Sequence, residues 1–146
     1  MRPWTPAELG FAYRTSRIKQ LKAQGQAHVV LAAELALTPG EPEVLQAKVD
    51  QFVAHRKLTQ PPGASMGSMF KNPPGDYAGR LIEAAGLKGT RLGQAEISPL
   101  HANFFVNLGE ARSADVLALI HRAHAAVLEQ FGVDLELEVE LVGDWL

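Results

Sequence analysis

The spacing of hydrophobic and polar positions predicts two different elements in the first part of the chain. Residues 28–37 (HVVLAAELAL) form an apolar run of strand length, and we interpret it as a strand, although its alanines and leucines are also compatible with a helix. After a turn at residues 38–42, apolar residues recur every three or four positions over residues 43–58, which predicts an amphipathic helix. The run TQPPG at residues 59–63 then breaks regular structure, so we place a domain boundary between residues 62 and 63.

The next stretch predicts a short helix followed by a loop. The helix covers residues 78–86 (AGRLIEAAG), with Asp76 as its cap and Gly86 at the left-handed position that ends it. The segment LKGTRLG at residues 87–93 is predicted to be a loop.

The last third of the chain predicts a strand, a helix and a second strand. Residues 101–109 (HANFFVNLG) suit a half-buried strand with the side chains of residues 103, 105 and 107 on one face. Residues 114–131 have the strongest helical pattern, capped by Ser113 and ended by Gly132. Residues 135–142 (LELEVELV) alternate strictly and predict a strand. The pattern therefore indicates an α+β fold.

Composition and charge narrow the functional classes. The 146 residues are 47% hydrophobic, which indicates one modest core. Fourteen basic and sixteen acidic side chains give a net charge of −2, so no basic field is available for nucleic acid or an anionic membrane. The chain has no cysteine, which excludes disulfides and thiolate nucleophiles and fits a reducing compartment. Without a signal core or a membrane-spanning stretch, we expect a cytoplasmic protein.

The run GASMGSMFKNPP at residues 63–74 is the strongest candidate for a ligand site. One interpretation is a tight loop and nothing more. The other is an oxyanion or phosphate site, because its small residues allow close backbone approach, Ser65 and Ser68 offer hydroxyls, and Lys71 and Asn72 offer donors.

The remaining chemical candidates are weaker. Glu136, Glu138 and Glu140 suit the solvated face of an edge strand, but any one of them that faces a cleft would have its acid form favoured. The residues alone do not say which. His121 and His124 stand three apart without a third ligand, so we expect no metal site.

Three further side chains are candidates for contact with a ligand. Arg14 and Arg17 follow aromatic residues and are either solvated charges or a clamp for a carboxylate. His101 precedes the asparagine-rich strand and offers a donor to a ligand. The sequence contains no GxGxxG loop, Walker lysine loop or HExxH.

Five blocks of sequence together resemble one family. In order, they are FAYRTS (11–16), SMGSMFKNPPG (65–75), AGRLIEAAGLKG (78–89), HANFFVN (101–107) and LELEVELVG (135–143). They resemble the UDP-N-acetylenolpyruvoylglucosamine reductase (UDP-N-acetylmuramate dehydrogenase, MurB) family, and HANF resembles its shorter subclass.

The resemblance implies a particular division of the chain. Residues 63–146 are expected to form the family's C-terminal substrate-binding domain, a small antiparallel sheet packed with helices. Residues 1–62 are expected to be the last strand and helix of an FAD-binding lobe. The family's N-terminal portion, which carries the glycine-rich loop for the FAD pyrophosphate, is expected to lack a counterpart here.

The implied activity is the NADPH- and FAD-dependent reduction of UDP-N-acetylenolpyruvoylglucosamine to UDP-N-acetylmuramate in peptidoglycan synthesis. The resemblance places Arg14 at the substrate carboxylate beside the cofactor, where a guanidinium stabilises the enolate-like intermediate. Ser68 matches the serine that donates a proton to C2, and Glu138 matches the third catalytic residue. The resemblance thus selects one of the three glutamates.

The resemblance also implies a set of substrate-binding residues. Asn72 matches a ligand of the substrate diphosphate, Lys57 matches a lysine near it, and Lys71 adds charge. His101 stands where the other subclass has a substrate-contacting glutamine. Two functions remain open: a reductase that needs an FAD-binding half, with supply in trans as one route, and a non-catalytic UDP-sugar-binding fragment without that half.

Overall fold

The computed structural model describes residues 2–143 and divides them into two compact units, residues 2–41 and 42–143. Within the described residues, none of the helices combines the length and the apolar character that a membrane crossing needs. The domain boundary predicted after residue 62 stays a prediction.

Two short helices make up the regular structure of the first unit. Helix α1 (Pro6–Leu9) begins with a capping box, in which the Glu8 amide donates to the Thr5 hydroxyl at 3.3 Å and the Thr5 amide donates to the Glu8 carboxylate at 2.8 Å. Helix α2 (Arg17–Ala23) begins after Ser16, whose hydroxyl accepts a bond from the Lys19 amide.

The strand predicted over residues 28–37 is absent, and that prediction is wrong for this structure. The segment has no regular structure, and its apolar side chains are exposed, with Val29 at 81% and Leu37 at 85%. A strand needs a neighbour to accept and donate its backbone hydrogen bonds. No described residue pairs with this segment, so its sequence pattern alone does not produce a strand.

The second unit begins with helix α3 (Pro42–Thr59), which confirms the helix predicted over residues 43–58. All of its residues are exposed, including Val49, Phe52 and Val53 on its apolar side. The amphipathic pattern therefore predicted the helix correctly, but the apolar side is not part of the core.

A four-stranded antiparallel sheet follows, in agreement with the expected small sheet. Its strands are β1 (Ala64–Ser68), β2 (Arg91–Leu92), β3 (Ala95–Ile97) and β4 (Phe104–Asn107), in the order β1-β4-β3-β2. Strand β2 corrects the loop predicted over residues 87–93. Gly93, at φ +55°, provides the left-handed turn that folds β2 back on β3.

Helix α5 (Ser113–Phe131) packs against strands β2 and β3, and helix α4 (Ala78–Ala84) packs against α5. Side chains from both helices, the sheet and the adjoining loops form one core; its largest fully buried members are Phe70, Met69, Leu81, Ile82, Ile97, Leu119 and Val127. The predicted helix ends are confirmed, because Gly86 and Gly132 have φ of +76° and +67°.

Both predicted helix caps are wrong by one position. Helix α4 is preceded by Tyr77, and the Asp76 carboxylate instead accepts from the Tyr77 amide at 2.7 Å and pairs with Arg80. Helix α5 is preceded by Arg112, and Ser113 is its first helical residue, without a side-chain cap bond. Asp and Ser favour helix beginnings in general, whereas the turn geometry decides which residue is the cap.

Strand β4 is more buried than a half-buried strand would be. Phe104, Phe105 and Val106 are all buried, so both faces of the strand are covered. Asn107 is exposed, and Asn103 lies in the turn before the strand and is itself buried. Because consecutive side chains of a strand point to opposite faces, the adjacent Phe104 and Phe105 place a buried ring on each face of β4.

The strand predicted over residues 135–142 is reduced to one bridge, between Leu137 and Phe70. The predicted alternation appears in burial only at the start of the segment, where Leu135 is buried and Glu136 is exposed; residues 137–139 are all half-buried, and residues 140 and 141 are both exposed. A bulge in β1 between residues 65 and 68 interrupts the partner segment. Bulges bend a strand and end regular pairing, so the ladder does not extend along the whole segment.

Candidate functional site

The segment that follows β1, residues 68–72, lies between two other parts of the chain. On one side, the Met69 amide donates to the Asn103 carbonyl at 2.8 Å. On the other side, the Glu138 amide donates to the Met69 carbonyl at 2.9 Å, and the Lys71 amide donates to the Glu136 carbonyl at 2.8 Å. The run that the sequence singled out is thus fixed by backbone bonds on both edges.

This arrangement brings the predicted catalytic residues Ser68 and Glu138 onto neighbouring segments. Ser68 is the last residue of β1, is half-buried, and follows Gly67, whose φ of +82° lies in the bulge. Glu138 is also half-buried, and its backbone bonds to the residue directly after Ser68. Ser68 and Glu138 therefore belong to neighbouring segments, although they are 70 positions apart in sequence.

Lys71 and Asn72, the predicted diphosphate ligands, both have partners within the protein. The Lys71 ammonium forms an ion pair with the Glu136 carboxylate. The Asn72 side-chain oxygen accepts a hydrogen bond from the Ala78 amide at 3.1 Å, at the start of α4. That bond uses the oxygen of the Asn72 amide, and an asparagine side chain also carries an NH₂ donor.

His101 packs against the first turn of α4. Its ring stands edge-on to Phe104 at 4.9 Å between centroids, and its Nδ1 lies 3.2 Å from the Asn103 amide nitrogen, which donates to it. A Cβ added to Gly79 would lie 2.9 Å from the ring of His101. Glycine at position 79 therefore makes room for the imidazole.

Asn103 is the residue whose importance the sequence reasoning missed. Its side-chain oxygen accepts from the Phe70 amide at 2.9 Å, and its side-chain NH₂ donates to the Phe70 carbonyl at 2.8 Å. The side chain is buried, at 3% exposure. An asparagine directly before two phenylalanines was the available signal, because a polar group in an apolar block must find partners.

The other two predicted residues, Arg14 and Lys57, lie on other elements. Arg14 belongs to the unit of residues 2–41, where it has φ of +53° in a tight turn closed by the bonds between Ala12 and Thr15. Its guanidinium lies 5.8 Å from the centre of the Tyr13 ring. Lys57 lies in the exposed last turn of α3.

One carboxylate near the site has a clearly perturbed acidity. Hydrogen bonds from the Arg80 guanidinium and from the Tyr77 amide lower the pKa of Asp76 to about 2. The same ion pair raises the pKa of Arg80. Asp76 and Arg80 therefore both carry a charge across the physiological pH range.

A groove beside the sheet is apolar and is not lined by residues 68–72. It has a volume of about 390 Å³ and lies between β1, β4, the start of α5 and the segment 139–141. Ser65 and Met66 line it rather than Ser68. Residues 2–143 contain no group of three or more metal-ligating side chains, and the prediction of no metal site remains an expectation.

Comparison with known proteins decides the family. Residues 57–142, more than half of the chain, match the C-terminal domain of UDP-N-acetylenolpyruvoylglucosamine reductase. The chain belongs to the MurB family. The α+β fold expected from that resemblance is confirmed, because a crystal structure of MurB from Thermus caldophilus superposes with a TM-score of 0.74 at 42% identity.

Related sequences show how much of the family this chain represents. It is 56% identical over 139 residues to the UDP-N-acetylenolpyruvoylglucosamine reductase of Chloroflexus aggregans, which covers 95% of this chain and 47% of that protein. It is 50% identical over 141 residues to UDP-N-acetylenolpyruvoylglucosamine reductase 2 of Symbiobacterium thermophilum. That match covers 94% of this chain and 44% of the relative. The match with the Thermus structure covers 94% of this chain and 47% of the Thermus chain. The chain thus spans about half the length of these MurB relatives.

Proposed function

We propose that this chain provides the substrate-binding half of an FAD- and NADPH-dependent UDP-N-acetylmuramate dehydrogenase, which reduces UDP-N-acetylenolpyruvoylglucosamine for peptidoglycan synthesis. The observation that carries the proposal is the meeting of Ser68 and Glu138 at Met69, with Asn72 and His101 at the adjoining start of α4. Residues from four separate blocks of the sequence are therefore grouped around one segment.

In this proposal, bound flavin that NADPH has reduced supplies the hydride for C3 of the enolpyruvyl group. Ser68 donates a proton to C2, so that hydride and proton together saturate the double bond. A hydroxyl is a poor acid, and it acts only when held within hydrogen-bond reach of the carbon. The backbone bonds on both sides of Met69 provide that rigidity, and Glu138 assists as a nearby carboxyl group.

The proposed substrate contacts come from several elements of this chain. Asn72 and Lys71 hold the diphosphate by the Asn72 NH₂ group and the Lys71 ammonium, with Lys57 adding positive charge. Donors to oxygen anions are strongest when charged, which suits Lys71 in particular. His101 contacts the substrate from the α4 side, and Arg14 binds the enolpyruvyl carboxylate beside the cofactor.

The residues of this chain fit the substrate better than they fit FAD. The sequence has no glycine-rich loop for a pyrophosphate, and the main groove is lined by the apolar face of the sheet and α5. We therefore propose that FAD is held chiefly by the half of the MurB relatives that this chain does not span, joined to it or supplied in trans. The exposed apolar side chains of segment 28–37 support such a partner, since an exposed apolar stretch is typical of an interaction surface. A cytoplasmic location belongs to the same proposal.

A second candidate is a UDP-sugar-binding domain without catalysis. It is favoured by the fact that Lys71, Asn72 and His101 are all placed by contacts within residues 42–143. The complex with the N-terminal half of a MurB relative distinguishes the candidates. A complex that binds FAD, is bleached by NADPH and reduces the enolpyruvyl substrate supports the reductase, whereas a chain that is stabilised by UDP-N-acetylglucosamine derivatives but gives no substrate reduction in that complex is a binding domain.

The reductase proposal is tested with the N-terminal half of the Chloroflexus aggregans relative co-expressed with this chain. In the complex, Ser68→Ala should slow reduction of the enolpyruvyl substrate roughly a hundredfold or more while NADPH still reduces the flavin. Ser65→Ala, an exposed serine of the same strand, is the matched control and should leave both half-reactions unchanged. Equal loss of both half-reactions in the Ser68 variant would refute the assigned role.

A further inference from the structure

We infer that Asn103 is a positioning residue for the proposed reduction, acting through the backbone of Phe70 to fix the relative placement of Ser68 and Asn72. The inference rests on the function proposed above. It concerns a buried amide to which neither the sequence motif nor the proposed chemistry assigns a role.

The Asn103 side chain takes the place of a strand neighbour for Phe70. It accepts from the Phe70 amide at 2.9 Å and donates to the Phe70 carbonyl at 2.8 Å, so it completes both polar groups of one peptide residue. The bridge between Phe70 and Leu137 uses other groups, namely the carbonyl of Met69 and the amide of Lys71. The Asn103 amide therefore substitutes for backbone pairing on the edge that faces away from Leu137.

Burial makes this pair of bonds costly to lose. Phe70 is 1% exposed and Asn103 is 3% exposed, so water does not readily replace either partner. The backbone of Asn103 adds a third bond, accepted from the Met69 amide at 2.8 Å. One residue thus holds two successive positions of the segment.

Those two positions separate the proposed proton donor from the proposed diphosphate ligand. Ser68 directly precedes Met69, and Asn72 follows Phe70 by two residues. A shift of the Phe70 peptide moves both ends of the segment, and misplacement by about 1 Å lowers rates by as much as 10²-fold. Loss of the Asn103 side chain should therefore lower kcat and raise KM together.

Asn103→Asp gives a test that a structural role alone would not pass. The substitution keeps the acceptor for the Phe70 amide but places a carboxylate oxygen against the Phe70 carbonyl. When protonated, the introduced carboxyl group again has one donor and one acceptor, as the asparagine side chain has. Burial and the adjacent carbonyl oxygen raise the pKa of such a carboxyl above its usual value of about 4.

The test is to measure kcat and KM of each variant relative to wild type across the pH range, in the complex with the Chloroflexus N-terminal half. Asn103→Asp should lose about tenfold or more in kcat near pH 8 and recover toward wild type as the pH falls to about 5.5. Asn103→Ala should lose as much at every pH. Both variants keep the backbone amide of residue 103 that donates to the His101 ring.

Val127→Ala is the control for loss of stability, because Val127 is fully buried on α5. All variants are compared at a temperature where each is fully folded. If the Asn103 variants then match Val127→Ala in kcat and KM, the positioning role is wrong. If Asn103→Asp shows no recovery at low pH, the hydrogen-bond replacement is wrong.

A measurement without turnover separates this inference from the proposed function. Amide hydrogen exchange of this chain should accelerate at residues 69–71 in Asn103→Ala and not in Val127→Ala. If the wild-type complex does not reduce the substrate, the proposed function fails, and the exchange still decides whether Asn103 holds the segment. Equal exchange in both variants would overturn the inference.

Discussion

The side-chain oxygen of Asn72 accepts a hydrogen bond from the Ala78 amide at 3.1 Å, so a residue proposed to bind diphosphate also completes the first turn of α4. This double use connects ligand binding to the placement of a helix. The first amides of a helix have no partner within it, and a side-chain acceptor stabilises them.

Substitution separates the two uses of Asn72. Asn72→Ala should reduce the free energy of unfolding by about 1 kcal/mol, because the Ala78 amide loses its acceptor. Asn72→Asp should keep that stability and still weaken binding of the substrate, since a carboxylate repels the diphosphate. Urea unfolding and calorimetric titration measure the two effects, and equal stability of both variants would contradict the capping role.

The contact between Gly79 and His101 predicts that Gly79→Ala lowers the free energy of unfolding in wild type but raises it when His101 is replaced by alanine. In wild type, Gly79→Ala should destabilise the protein by about 1–3 kcal/mol, because the new Cβ lies 2.9 Å from the imidazole. In a His101→Ala background the same change should stabilise it by up to about 1 kcal/mol, the usual gain of alanine over glycine within a helix. Chemical unfolding of the four proteins gives the coupling, and additive effects would show that the ring moves aside freely.

The role of Glu138 is tested against a second glutamate of the same segment. Glu138→Gln in the complex with the Chloroflexus half should lower the rate of substrate reduction by about 10²-fold and leave flavin reduction by NADPH intact. The fold should survive, because the bond to Met69 comes from the backbone of Glu138. Glu140→Gln, at an exposed position, should retain the wild-type rate. A similar loss in both variants would indicate a general charge effect.

The Asp76 to Arg80 pair predicts a limited window of acid sensitivity. The pKa of Asp76 is lowered from 3.8 to about 2, so the folded state prefers the carboxylate. The resulting stability is fully present above about pH 4 and is lost as the pH falls through about 2. The difference in free energy of unfolding between wild type and Asp76→Asn should therefore shrink between these values. A difference that stays constant down to pH 2 would refute the assignment.

Helices were the easiest elements to predict, because their pattern is local. The spacing of Val44, Leu45 and Val49 predicted α3, and the glycines at positions 86 and 132 predicted where α4 and α5 end. A helix satisfies its own backbone bonds within one segment, so three- and four-residue spacing carries the necessary information.

Strands were harder, because their bonds come from elsewhere in the chain. Residues 28–37 and 135–142 both have apolar or alternating patterns, yet the first is not a strand and the second forms one bridge. Strand β2 has only two residues, too few for a recognisable pattern, and exists because it pairs with β3. Strand pairing depends on two segments, so the pattern of one segment does not show whether it has a partner.

The sequence by itself determined the family, helices α3 to α5 and the residue types of the site, since the motifs around Ser68, His101 and Glu138 are each contiguous. Only the tertiary structure decided that Glu138 and Asn103 lie on opposite edges of Met69, and that Asn72 completes a helix. The physical reason is that a buried polar group must find a partner wherever the fold brings one, and that partner is distant in sequence.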